Sequence, residues 1–195
     1  MQLYYTPHSH FSRKVRILLE GLGVPVELVN SGDTANLDPA RFGHSPLMRV
    51  PVLRDGDIWV FDSGVIAAHL VRSLDPSDRF AVLRHDIPGL NARSVMNGVM
   101  TAEVELLLAA RTGLETNGQR RFDKARQVIA AGLEWLEQHE GLFAGEPDYL
   151  CFHLVSMWEH LHRFGYFPPL ALPQLTRHAE RVGELPIVVA TRAAS

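Results

Sequence analysis

The chain carries one cysteine, Cys151, in 195 residues. A single thiol excludes an intrachain disulfide framework and fits a reducing compartment. No apolar run approaches the roughly 20 residues needed to span a bilayer. The opening Met1-Gln2-Leu3-Tyr4-Tyr5 has neither the basic start nor the apolar stretch of a signal peptide. An excess of one charge is missing too: 19 Lys and Arg against 22 Asp and Glu leave a net charge of −3. Nucleic-acid binding usually needs a strongly basic footprint, so that class is disfavoured. No internal repeat or low-complexity tract is present. What remains is an ordinary globular composition, long enough for one large domain or two small ones. Histidine alone is plentiful, at ten residues.

Strand signals are confined to the first part of the chain. Leu3-Tyr4-Tyr5 reads as a short strand that leaves its sheet at Thr6-Pro7. A helix is expected from about Phe11, because Val15, Leu18, Leu19 and Leu22 recur at i, i+3, i+4 and i+7. Gly21 and Gly23-Val24-Pro25 stop it. Val26 to Asn30 alternates like a strand, and the Gly- and Pro-marked connection from Ser31 to Pro46 has room for one short helix at Pro39 to Phe42. Val50 to Arg54 and Asp57 to Phe61 predict a hairpin around Asp55-Gly56, and Asp62-Ser63 predicts the cap of a helix to about Leu74.

Beyond Asp75 the periodicity changes. Residues 76–88 read as a linker, and 89–195 as all-helical. The expected helices run from Asn91 to Arg111, from Phe122 toward Gly141, from Asp148 to Gly165 and from Leu172 to Val182. The tail from Pro186 either packs or frays. An α/β unit over 1–75 followed by helices implies two subdomains.

The chemistry points to the first turn. Ser9 would sit at the mouth of a helix, among free backbone N–H groups and the positive end of the dipole, where an anion is favoured. The anion expected is a thiolate brought in by a ligand. The simpler alternative is that Ser9 only caps the helix. Thr6, Ser12, Tyr4 and Tyr5 are rival hydroxyls. His8, His10 and His44 match no metal-ligand spacing, so no metal site is expected. Cys151, near an apolar face, reads as a buried small hydrophobe.

Three stretches in order, Ser9 with Arg13-Lys14-Val15-Arg16, then Arg49-Val50-Pro51-Val52-Leu53, then Phe61-Asp62-Ser63-Gly64-Val65-Ile66-Ala67, resemble the cytosolic glutathione transferase family. The likeness is to its small bacterial, serine-type members and extends over essentially the whole chain. It implies an α/β thioredoxin-like N-terminal domain followed by an all-α helical-bundle domain. It also implies a cis Val50–Pro51 bond, an X–Pro linkage where cis costs only about 0.5–1 kcal/mol. Such a bond would turn the Val50 backbone outward toward a ligand backbone.

By the same resemblance Asp62 and Ser63 would hold the γ-glutamyl end of glutathione, Arg49 its glycyl carboxylate, and Ser9 its sulfur. The implied second-substrate pocket is formed by His8 and His10 with Met100, Glu103 and Leu107, in a cleft between the domains. The implied protein is a cytoplasmic, homodimeric detoxification transferase that activates the glutathione thiol for attack on a small hydrophobic electrophile. Alternatives on the same scaffold are a glutathione-dependent isomerase, dehalogenase or reductase, or a non-enzymatic binding protein. One departure stands out: relatives tend to have Ser or Thr followed three residues later by Asp, where this chain has Asp148 and Cys151. Cys151 cannot complete that capping box, a loss of about 1 kcal/mol.

Overall fold

In the computed structural model, which describes residues 1–193, the chain divides into two compact units. The first is Met1–Leu83 together with the segment from Glu184 onward. The second is Arg84–Gly183. Among the described residues no helix is long and apolar enough to cross a membrane.

The first unit is built on four strands: β1 (Gln2–Tyr5), β2 (Glu27–Asn30), β3 (Val52–Asp55) and β4 (Ile58–Phe61), in the spatial order β2-β1-β3-β4. β1 runs parallel to β2, as a helical crossover permits. It runs antiparallel to β3, with Tyr4 opposite Val52, and β3 pairs with β4 through the two-residue Gly56-Asp57 turn, one residue later than expected because Asp55 still pairs with Ile58. Gly56 takes the positive φ of 59° that such a two-residue turn asks for. The helices are α1 (His10–Leu22) and α2 (Ser63–Leu74). Leu3, Val15, Leu18, Leu53, Ile66 and Leu70 are fully buried, each contributing roughly 1.5–3 kcal/mol by leaving water.

The connection from β2 to β3 holds one short 3-10 turn, Pro39–Phe42, capped by Asp38. Phe42 is fully buried and anchors it. After α2, Asp75 gathers the Ser77 hydroxyl at 2.6 Å and the Arg79 N–H at 3.0 Å, and Asp78 accepts from Val82 and Leu83. The stretch read as a linker is therefore an ordered run of side-chain-capped turns.

The second unit contains α3 (Ile87–Arg111), α4 (Arg120–Gln138), α5 (Tyr149–Phe164) and α6 (Pro173–Gly183). α3 begins four residues before the expected Asn91, because Asp86 caps it through the Gly89 N–H at 2.8 Å and Pro88 is tolerated in a first turn. α5 is buried along most of its length, from Tyr149 through Trp158, and packs against α3 and α6. α3 and α4 approach closely at Gly132, where an added Cβ would collide with Val99 Cγ2. Glu137 of α4 caps α6, accepting the Gln174 and Leu175 N–H groups at 2.9 Å each.

A one-turn helix, α7 (Pro186–Val189), is the last helix among the described residues, with Val188 fully buried. It packs on α1. The segment from Glu184 therefore joins the first unit and not the helices that precede it in sequence.

Candidate active site around the first turn of α1

β1 ends at Tyr5, and Thr6 to Ser9 form the turn into α1. The Ser9 N–H donates to the Thr6 carbonyl at 3.1 Å, which closes this turn. Ser9 is the N-cap: its backbone is extended (φ −69°, ψ 113°) and its Oγ accepts the Ser12 N–H at 3.1 Å. Capping uses only one lone pair of the hydroxyl. Its proton remains available as a donor. Ser9 is half-buried, so a ligand can reach it. The rivals are less suited. Thr6 and Ser12 are buried, and Tyr4 and Tyr5 are committed to the paired strand, with Tyr5 lying under the Arg16 guanidinium at 5.0 Å.

The turn before β3 brings in the second expected element. The Val50–Pro51 bond is cis. Val50 is half-buried and lies two residues before Val52, the first β3 residue paired with β1. Arg49 is exposed.

Asp62 and Ser63 open α2. Asp62 is the N-cap, accepting the Gly64 N–H at 2.7 Å, and Ser63 is buried as the first helical residue. Asp62 adopts φ 70° and ψ 136°, a conformation few non-glycine residues take. Strain of this kind costs of order 1–3 kcal/mol and concentrates at binding sites. The exposed carboxylate keeps an oxygen beyond the cap bond.

The other expected residues occupy different environments. His8 is exposed in the turn. His10, buried as the first residue of α1, sets its ring on Phe11 with centroids 4.7 Å apart. His44 packs its ring on Trp59 at 5.0 Å.

In the helical unit, Met100 and Glu103 of α3 are fully buried and face α5. His153 Nε2 lies 3.0 Å from the Met100 sulfur, and His160 Nδ1 hydrogen-bonds Glu103 Oε1 at 2.7 Å. Leu107 is half-buried. Burial pushes the Glu103 carboxyl above its ordinary value, and the His160 hydrogen bond opposes that rise. The Glu103–His160 pairing spans 57 residues and had no signal in the local sequence. Burial also pushes the Cys151 thiol up to about 11, which makes it inert beside a reactive thiolate.

A surface groove of about 620 Å³ is lined by Arg16, Leu19, Glu20 and the Gly23 to Val26 turn. It lies at the opposite end of α1 from Ser9.

Residues 3–77 match the family described as glutathione S-transferase, N-terminal domain. Glutathione S-transferase 4 of Zea mays is 35% identical over 78 residues, covering 39% of this chain and 35% of that relative. Glutathione S-transferase TCHQD of Arabidopsis thaliana is 34% identical over 79 residues, 40% of this chain and 30% of that protein. The matches thus span about a third of these curated relatives.

Among solved structures, a glutathione transferase family member from Pseudomonas fluorescens Pf-5 with bound glutathione superposes with a TM-score of 0.82. It covers 100% of this chain and 99% of its own at 23% identity. A zeta-class maleyl pyruvate isomerase superposes at 0.78, covering 100% and 97% at 22% identity. Likeness at this identity establishes the fold: a four-stranded mixed sheet with its helices, followed by a helical region.

Proposed function

Residues 3–77 belong to the glutathione S-transferase N-terminal domain family, and on that premise we propose that this protein binds glutathione and activates its thiol. The observation that carries the reading is the first turn of α1, where the half-buried hydroxyl of Ser9 stands at a helix N-terminus with its proton unspent. A cysteine-like thiol has an ordinary pKa of about 8.5. Lowering it by roughly two units takes about 2.7 kcal/mol of preference for the thiolate. One hydrogen bond to an anion plus a helix end is of that size. Ser9 is the proposed catalytic residue. It donates to the thiolate and keeps its own proton.

The rest of glutathione would lie along Val50, pairing with its backbone as an added strand does. Its γ-glutamyl ammonium would meet Asp62, and its α-carboxylate the hydroxyl and N–H of Ser63 at the start of α2. Arg49, exposed in the preceding loop, is free to extend toward the glycyl carboxylate. Of the residues expected to select the second substrate, a small hydrophobic electrophile, exposed His8 and half-buried Leu107 are proposed to touch it, while the buried His10, Met100 and Glu103 would act only indirectly. The thiolate adds to this electrophile or displaces a leaving group from it.

The proposal extends to a cytoplasmic homodimer acting in detoxification. A single buried cysteine suits a reducing compartment. Ile58, Val65 and Leu90 are large exposed apolar residues of the kind a partner copy covers.

A glutathione-dependent isomerase is the second reading, supported by the full-length likeness in fold to a maleyl pyruvate isomerase. Calorimetric titration with glutathione, followed by turnover on a chromogenic aryl halide and on a cis-unsaturated diacid, separates the possibilities. Binding with transfer supports the first reading and binding with isomerisation the second. No binding at millimolar glutathione overturns both.

A further inference from the structure

Ser9 and Ser12 occupy the two positions of a capping box, the N-cap and the third helical residue. In a complete box the N-cap oxygen accepts the third residue's N–H, and the third side chain accepts the N-cap N–H. Only the first half is made here. Ser12 N–H donates to Ser9 Oγ at 3.1 Å, but the Ser9 N–H donates to the Thr6 carbonyl at 3.1 Å and is already engaged. The Ser12 hydroxyl is left over. It is fully buried and, among the described residues, has no hydrogen-bond partner. A buried hydroxyl in that condition is worse for stability than the methyl of alanine, so the ligand-free fold gains nothing from it.

We propose that Ser12 is a positioning residue that donates its hydroxyl hydrogen to Ser9 Oγ when Ser9 donates to the ligand's sulfur. This rests on the glutathione reading above. Two of the three staggered χ1 wells place a serine Oγ gauche to its own nitrogen. Both keep Oγ close to the nitrogen whose N–H reaches Ser9 Oγ at 3.1 Å. Ser9 Oγ has two lone pairs; Ser12 N–H fills one, and the Ser12 hydroxyl fills the other. A chain of hydrogen bonds from Ser12 to Ser9 to sulfur polarises each member, making Ser9 a stronger donor. No bond between heavy atoms forms or breaks. The thiol proton leaves to solvent, and both serines keep theirs. Because Ser12 Oγ has no exposed surface, it acts through Ser9 and does not touch the sulfur.

The test uses the full chain with Ser12→Ala, Ser12→Thr and Ser9→Ala. It follows the ultraviolet absorbance of bound glutathione thiolate against pH, thermal melting, and binding of S-methyl glutathione, which has no thiol. Ser12→Ala is expected to melt no lower than the parent and to bind S-methyl glutathione equally well. Its bound thiol should become roughly three- to tenfold less acidic, the size of one weakened hydrogen bond. Ser12→Thr should restore the parent titration. An unchanged titration in Ser12→Ala beside a shifted one in Ser9→Ala overturns the role of Ser12 and leaves that of Ser9. A shift accompanied by lower melting that Ser12→Thr does not restore marks a structural role and also overturns it. No shift in either alanine variant, or no glutathione binding by the parent, overturns the Ser9 reading and this proposal together.

Discussion

Ser9 Oγ accepts the backbone N–H of Ser12 at 3.1 Å, so the side chain proposed for the chemistry also holds the first turn of α1. Substitutions at Ser9 can separate the two jobs. Ser9→Ala should lose both the cap, about 1 kcal/mol, and the donor to sulfur, with a fall in turnover near neutral pH of about a hundredfold or more. Ser9→Asn retains a cap of similar quality. It should melt like the parent and still turn over poorly. Equal loss of melting temperature in both variants would show that the cap, and not its chemistry, is what asparagine fails to replace.

Asp62 combines a cap bond to Gly64 with a backbone φ of 70°. Asparagine matches aspartate in shape and in capping strength while removing the charge. Asp62→Asn should therefore leave melting nearly unchanged and weaken glutathione binding by about tenfold or more, as loss of a charged hydrogen bond does. Titration calorimetry reads this directly. Unaltered affinity would assign Asp62 to capping alone.

Cys151 offers a control on which thiol reacts. With its pKa pushed up to about 11 by burial, only about one molecule in a thousand carries the thiolate at pH 8. Alkylation by iodoacetamide should be negligible in the folded protein and prompt in denaturant. Rapid labelling under native conditions would contradict the burial and the inertness assigned to it.

Glu103 gives the helical unit a pH dependence whose sign follows from its environment. Burial raises its folded pKa above the ordinary value of 4.5, so the folded state holds the proton more tightly than the unfolded chain. The contribution is fully present below that ordinary value. It is lost as pH rises from there through the folded pKa. Glu103→Gln removes the titration, so parent and variant melting curves should diverge across that window and run parallel above it. Curves parallel throughout would mean that the hydrogen bond with His160 cancels the cost of burial.

Much of this arrangement was legible because it is local. The Gly56-Asp57 hairpin, the Ser9 and Asp62 caps, and the left-handed glycine Gly165 that ends α5 all have their cause within a few residues of sequence. Asp148 likewise caps α5 through the Cys151 N–H at 3.0 Å, although Cys151 cannot return the bond. The start of α3 was obscured because Pro88-Gly89 reads as a loop until Asp86 is recognised as a cap. The placement of α7 on α1, the Glu137 cap on α6 and the Glu103–His160 pair depend on residues 37 or more positions apart, where periodicity is silent. The leftover hydroxyl of Ser12 is different again. It depends on which acceptor the Ser9 N–H chooses, and only coordinates reveal that.

The central claim is that a ligand's sulfur rests against the Ser9 hydroxyl. A crystal structure of the protein with glutathione bound tests it most directly. The account predicts the sulfur within hydrogen-bonding distance of Ser9 Oγ, with the γ-glutamyl end at Asp62 and Ser63. A bound glutathione whose sulfur contacts a different hydroxyl, or none, would contradict it.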